Sequence, residues 1–583
     1  MTRLARYVPG RGRRLAVLGV TASLAAAAPV AGWKLVQVAI DDGIRAGDER
    51  FLLYVVLAYI LVNALAWVFD TYTWRGLATV GQGIVLDVRR DLFDHLTSLS
   101  LRYFSQQRAG WIIARLTSDT DALSDVLSQG MATLVANVLT LVAATIGLFI
   151  LDWRLGLVAF VILPPAILVT RWFQRRSHAA FTDVRTRIAS VTAHLAESVS
   201  GMAIVQAFAR ERAFQNEFDE LNNANLRSNA YAQKLSSVFF PAIELLGAAA
   251  MVSVLFAGFH WHQAGTLSVG TLIAAIGLVG LLFQPLQELS ELYGQVQAAN
   301  AAMDKISSVL DVEPEIRDVA APLPVTRIEG HLEIDRVTFA YGRDPVLHEI
   351  SIEVPAGGCI ALVGESGGGK STLAKIVARF YDPDSGAVRV DGHDIRDLEL
   401  RAYRRQLGVV LQDPFLFSGT IADNIRFAKP DATYDEVLSV AHAVGVDRIT
   451  SRFDAGLDHV VREGGSGLSA GERQLISIAR ALLADPRILI LDEATSNIDR
   501  PSEILIEKAL DRLLHGRTSI IIAHRLATVR RADEIIVVDH GRIVQRGSEA
   551  ELLAEDGPFR HLARALKGTR PRIAEVAAAF RPE

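Results

Sequence analysis

The stretch Gly364-Glu365-Ser366-Gly367-Gly368-Gly369-Lys370-Ser371 fits the spacing G-x-x-x-x-G-K-[ST]. Backbone N–H groups in that pattern converge on one concavity, which suits a chain of phosphates. The pattern carries weight only between a strand and a helix, and both are legible here. Cys359-Ile360-Ala361-Leu362-Val363 is a short apolar run of the buried-strand type, and Ser371–Phe380 has helical periodicity. The helix dipole adds positive potential at the loop. Gly364 to Thr372 is therefore the candidate phosphate-binding stretch. Lys370 is placed for the β- and γ-phosphates, and the Ser371 hydroxyl for Mg²⁺.

Two downstream stretches extend this reading. Arg487-Ile488-Leu489-Ile490-Leu491-Asp492-Glu493 is a buried-type strand ending in two acids. Asp492 suits holding Mg²⁺, and Glu493 suits polarising an attacking water. An acidic strand end that merely caps the next helix is the plainer alternative, and the upstream loop weighs against it. Between them lies a second glycine-bearing motif, Leu468-Ser469-Ala470-Gly471-Glu472.

The 583 residues are too many for one ordinary domain. Net charge is −5, so no overall basic character points to nucleic acid. The single cysteine, Cys359, excludes an intramolecular disulfide and reads as a buried, inert thiol. Hydrophobic residues make up 50%, unevenly distributed. Six runs approach the roughly 20 apolar residues that cross a bilayer: Leu15–Ile40, Phe51–Trp74, Met131–Leu151, Leu155–Trp172, Val238–Phe259 and Val269–Tyr293. The basic start precedes an apolar run too long for a signal-peptide core.

Positive charge falls in alternate connections. The N-terminus, Arg75–Arg115 and Arg171–Lys234 are rich in arginine, whereas Asp41–Arg50 is net acidic and His260–Ser268 carries no Lys, Arg or acid. The positive-inside rule then places the N-terminus, both long connections and the C-terminal half in the cytoplasm. Val85–Leu101 and Val184–Phe218 have helical spacing, so the long connections read as extended helices. Their turns are expected near Gln106–Arg115 and Val205–Phe214, where they would meet a soluble domain. Lys34, near the outer end of its span, reads as a snorkelling side chain. Glu244 reads either as a pore-facing acid or as a packing group. Pro164, Pro165, Pro241 and Pro285 are expected to kink their helices. Residues 1–310 form the membrane domain, the proline-bearing stretch 311–327 a linker, 328–566 the soluble domain, and 567–583 a tail.

In the order and identity of these motifs the chain resembles the ATP-binding cassette (ABC) transporters, specifically the exporter-type half-transporters. These fuse a six-helix, all-α membrane domain to an α/β P-loop ATPase. The resemblance covers about Leu15 to Leu566 and implies further roles. Tyr341 matches the aromatic that stacks on adenine, and Gln412 the glutamine that senses Mg²⁺ and the membrane domain. Glu463 resembles the acid near the intracellular turns. Asp499, in Ser496-Asn497-Ile498-Asp499, falls in the D-loop, and His524 matches the switch histidine that contacts the γ-phosphate. Ser469, Ala470, Gly471 and Glu472 correspond to the family's signature, with alanine and glutamate in place of glycine and glutamine. Alanine is tolerated if its φ is negative. Glutamate brings an acid near phosphate, which either weakens the site or faces Arg473 instead.

The resemblance further implies a dimer in which the P-loop of one chain and the signature of the other enclose ATP and Mg²⁺. The second chain is an identical or related half-transporter, and no nucleic acid partner is implied. A multi-pass protein of a bacterial plasma membrane that exports a lipid, drug or other amphipathic solute is expected. An importer of the same architecture, or a P-loop ATPase doing mechanical work on nucleic acid, are the alternatives; six apolar spans disfavour the last.

Overall fold

The computed structural model describes residues 6–365, 367–492, 500–523 and 525–568. They form two compact units, Met1–Ser98 with Gln107–Glu313, and Leu99–Gln106 with Pro314–Glu583.

The first unit is helical. Among the described residues, six helices are long and apolar enough to cross a membrane: Gly12–Ile44, Glu49–Ser98, Ala109–Leu151, Trp153–Ser200, Glu211–Gln263 and Val269–Leu310. Each contains one of the six apolar runs. At 33 to 53 residues, they exceed the roughly 20 that a bilayer requires, as expected for the two long polar connections. Pro241 and Pro285 lie inside helices. Pro164 and Pro165 instead lie in the first turn of the segment Leu163–Ser200, after a turn at Val161 and Ile162. A proline there removes no helical hydrogen bond. Gly201 ends that segment, and Arg210 precedes Glu211–Gln263, so the second turn falls at or just before the expected stretch.

Polar groups within this unit are paired both along and between helices. Phe173 and Phe239 stack at 4.0 Å in its core. The Asp41 carboxylate accepts from the Gly270 N–H at 2.9 Å, bonding the N-terminal turn of the last spanning helix, whose N-cap is Ser268. The Lys34 ammonium donates to Gln37 at 2.6 Å. Glu244 is exposed. Glu288, in the last spanning helix, accepts from Asn137 at 2.8 Å and from Gln284 at 2.9 Å.

The second unit is α/β. A four-stranded antiparallel sheet has the order β2-β1-β4-β5, from β1 (Leu332–Ala340), β2 (Pro345–Val354), β4 (Ser385–Val390) and β5 (His393–Asp394). A six-stranded sheet has the order β12-β11-β3-β10-β9-β6. Its strands are β3 (Cys359–Val363), β6 (Leu407–Val410), β9 (Ile488–Asp492), β10 (Thr518–Ile522), β11 (Glu534–Asp539) and β12 (Arg542–Gly547). A small ribbon pairs β7 (Gly419–Thr420) with β8 (Val460–Val461). Five strands of the large sheet run parallel, and β12 pairs antiparallel with β11. Burial on both faces explains why β3, β9 and β10 read as unbroken apolar runs. The helix Ala470–Leu483 packs Leu475, Ile476 and Ile478 into the core shared with Leu489 and Leu491.

Candidate nucleotide-binding site

The site forms at the carboxyl edge of the parallel strands, where α/β sheets place their ligands. β3 lies between β11 and β10 and runs directly into the glycine loop. Gly364 has φ +143°, and a Cβ there would lie 2.0 Å from the Val538 carbonyl oxygen of β11. Only glycine lets the loop pass so close beneath that strand. Gly367 and Gly369 also take left-handed conformations, at φ +87° and +100°. The Gly368 N–H closes a turn on the Glu365 carbonyl at 3.2 Å, and the Gly541 N–H ties the loop to the β11–β12 hairpin through Gly368 at 3.1 Å.

The loop opens the helix Lys370–Val377. Lys370 is 5% exposed, and its Nζ donates to the carbonyls of Gly364 (2.9 Å) and Glu365 (2.7 Å). Burial holds its pKa below the usual lysine value, while the negative charge of Asp492 opposes that shift. Ser371 follows in the first helical turn, and Thr372 is buried.

Asp492 reaches the same edge by sheet register. Ile522 of β10 pairs with Leu362 on one side and Asp492 on the other, so the acid is two strand spacings, about 10 Å, from the strand that feeds the loop. Its Oδ1 is buried without a hydrogen-bond partner. A buried orphan carboxylate oxygen calls for a compensating donor or cation, and a carboxylate oxygen is the hard ligand type that Mg²⁺ takes. On the far side, Val410 of β6 pairs with Leu491, which brings the exposed Gln412 to the same edge.

Tyr341 follows β1. Its ring meets Phe339 (5.0 Å) and Tyr381 (5.3 Å) edge to face, and its hydroxyl donates to the Thr372 hydroxyl at 3.2 Å. One ring face is thereby steadied for stacking. Sequence reasoning missed the support beneath it. The Arg102 guanidinium, on the helix Leu101–Gln106, lies 5.7 Å from the Tyr381 ring and pairs with Glu315 at 3.2 Å. The first turn was expected over Gln106–Arg115; the segment belonging to the second unit is Leu99–Gln106, just upstream.

The signature opens the helix Ala470–Leu483. Ala470 has no positive φ, so the methyl group adds no backbone strain. Glu472 does not face Arg473, whose guanidinium donates to the Leu468 carbonyl at 2.8 Å. It closes a capping box with Ser469: the Ser469 N–H donates to Glu472 Oε2 at 2.8 Å, and the Glu472 N–H to Ser469 Oγ at 3.2 Å. Its other oxygen pairs with Arg452. The spacing S-x-x-E announces that box in the sequence; nothing local announces Arg452. Glu463 is exposed in a short turn upstream. Ser366, Glu493, Asp499 and His524 lie outside the described residues.

Comparison with known proteins agrees with this geometry. Residues 15–286 match the family described as ABC transporter transmembrane region, and residues 347–496 match that described as ABC transporter. The chain is 34% identical over 559 residues to an ATP-dependent lipid A-core flippase of Syntrophus aciditrophicus, covering 96% of this chain and 93% of that one. It is 37% identical over 521 residues to a fatty acid ABC transporter ATP-binding/permease protein of Mycobacterium tuberculosis, covering 89% and 82%. A solved bacterial Atm1-family ABC exporter with ATP bound superposes with a TM-score of 0.80 at 28% identity, covering 95% of this chain and 98% of that one. A multi-pass helical unit joined to an ATP-binding α/β unit thus places this chain in the ABC transporter family, as an exporter-type half-transporter whose ATPase is coupled to transport.

Proposed function

We propose that two copies of this chain, or this chain and a related half-transporter, use ATP to export a lipid or another amphipathic compound across a bacterial plasma membrane. Each ATP is held between the P-loop of one chain and the signature of the other, so neither chain completes a site alone. The N-terminus and the nucleotide-binding unit face the cytoplasm, in keeping with the arginine-rich connections.

One observation carries the reading: the orphaned Oδ1 of Asp492 lies in register across β10 from the strand that feeds a P-loop containing Lys370. Gly364 to Thr372 hold the phosphates, and Lys370 exchanges its two loop carbonyls for β- and γ-phosphate oxygens. Tyr341 stacks on adenine. Ser371, Gln412 and Asp492 hold Mg²⁺, which when bound neutralises charge developing on the phosphates. Glu493 orients the attacking water, His524 contacts the γ-phosphate, and Asp499 belongs to the D-loop beside the nucleotide. ATP biases the membrane unit only through unequal affinity for its inward- and outward-facing states. Support for an amphipathic cargo comes from two apolar grooves between the first and third spanning helices. One, of about 760 Å³, runs along Ala16, Val20 and Leu24 opposite Leu134 and Val138. The other, of about 410 Å³, includes Val30 and Ile146. The names of the relatives, a lipid A-core flippase and a fatty acid transporter, agree with that class.

The test is purified protein reconstituted in liposomes. Magnesium-dependent ATP hydrolysis stimulated by lipids or amphipathic drugs, with cargo moved away from the nucleotide-binding side, is expected. Absence of stimulation across such a panel would contradict the cargo class, and movement in the other direction would establish import.

A further inference from the structure

Glu472 places a carboxylate in the first turn of the helix Ala470–Leu483, where the free N–H groups and the helix dipole would otherwise offer roughly half a positive charge to an approaching phosphate. Both carboxylate oxygens are engaged. Oε2 accepts from the Ser469 N–H at 2.8 Å, and Oε1 meets the Arg452 guanidinium. The Glu472 side chain is 13% exposed and that of Arg452 is 54% exposed. The acid is therefore tucked into the helix start, while the cation presents its open side to solvent. Arg452 is itself braced, lying 5.4 Å from the ring of Phe453, which stacks on His459 at 3.6 Å.

We propose that Arg452 is a positioning residue for the ATP that the signature caps on the partner chain, and that it compensates for Glu472. Without Arg452, the carboxylate cancels the positive potential of the helix start and repels the nucleotide. With it, the local charge is restored and the carboxylate stays turned into the capping box, away from the first-turn N–H groups of Ala470 and Gly471 that a helix start leaves without intrahelical partners. The pair acts as a unit, so the acid is tolerated only alongside the arginine. This rests on the shared-site reading of Ser469–Glu472 given above.

The experiment measures hydrolysis against ATP concentration for the full-length protein in liposomes. Arg452→Ala is expected to raise half-saturating ATP by about fivefold, the effect of one uncompensated charge at the rim of a hydrated site, with a smaller change in maximal rate. Arg452→Lys should recover most of the loss. Glu472→Gln alone should lower half-saturating ATP, and added to Arg452→Ala it should cancel the rise. A purely structural salt bridge would not give that cancellation, because the double variant lacks the bridge as well. Unchanged half-saturation in Arg452→Ala, or a rise that persists in the double variant, would overturn the proposal. Should Arg452→Ala not fold, Glu472→Gln still decides: weaker apparent ATP affinity contradicts compensation. Ser469→Arg with full activity would instead overturn the shared-site reading, leaving no role for Arg452 at the nucleotide.

Discussion

Replacing Gly364 with alanine tests the loop geometry directly. The new Cβ would lie 2.0 Å from the Val538 carbonyl oxygen, whereas ordinary contact begins at 3.4 Å. The oxygen cannot withdraw, because β11 is fixed on both sides, to β3 through Val537–Val363 and to β12 through Val538–Ile543. Left-handed strain costs about 1–3 kcal/mol, and forced overpacking adds about 1–3 kcal/mol. A total near 4 kcal/mol is a large part of a domain's stability, and the loop is expected to shift instead, losing its phosphate geometry. Gly367 is the control. Its φ is +87°, but its Cβ would meet nothing within 4 Å, so alanine there costs only about 1–2 kcal/mol of backbone strain. Fluorescent-nucleotide titration together with thermal unfolding, with and without ATP, separates the two. Gly364→Ala should lose ATP-dependent stabilisation while Gly367→Ala retains much of it. Equal behaviour of the two variants would refute the close approach of the loop to β11.

Lys370→Ala should weaken nucleotide binding at least tenfold in the same titration, since it removes the loop's cation; unchanged affinity would contradict the phosphate assignment. Tyr341→Ala should raise half-saturating ATP, and the corresponding ADP value, by roughly 10-fold, the worth of one base stacked on an aromatic ring, whereas Tyr341→Phe should change little. Glu493→Gln should nearly abolish hydrolysis while ATP binding persists and a closed dimer accumulates, seen by size-exclusion chromatography or cross-linking; normal turnover would remove Glu493 as the group that activates water. Arg379, 1% exposed, donates to the carbonyls of Leu398, Arg317 and Arg396. Arg379→Leu removes these three hydrogen bonds and should cost about 3–5 kcal/mol, lowering the unfolding temperature of the nucleotide-binding unit.

What the sequence made legible was local. The P-loop combines a strand, glycines at fixed offsets and a helix within some 20 residues, and β9 declares itself by an apolar run ending in Asp492. The six spans were readable because the bilayer demands long apolar runs. What stayed hidden depends on pairing between distant residues. Arg452 lies 20 positions before Glu472 in a loop of mixed composition, so the carboxylate's partner could not be named, although S-x-x-E already spelled the capping box. Arg102, Tyr381 and Tyr341 come from three separate stretches, and only the fold brings them into contact. Hydropathy does not separate Glu288 from Glu244, because it reports only that an acid lies in a span. Asn137, on another helix, is what holds Glu288.

The central claim is that each ATP site is built from two chains. A chain carrying Lys370→Ala and a chain carrying Ser469→Arg should each be nearly inactive alone. Co-assembled, they form mixed dimers in which one site pairs both defects, while the other has an intact P-loop and an intact signature. ATP hydrolysis in the purified mixed dimer, measured against each parent, should rise well above both. A mixed dimer as inactive as its parents would contradict the shared site.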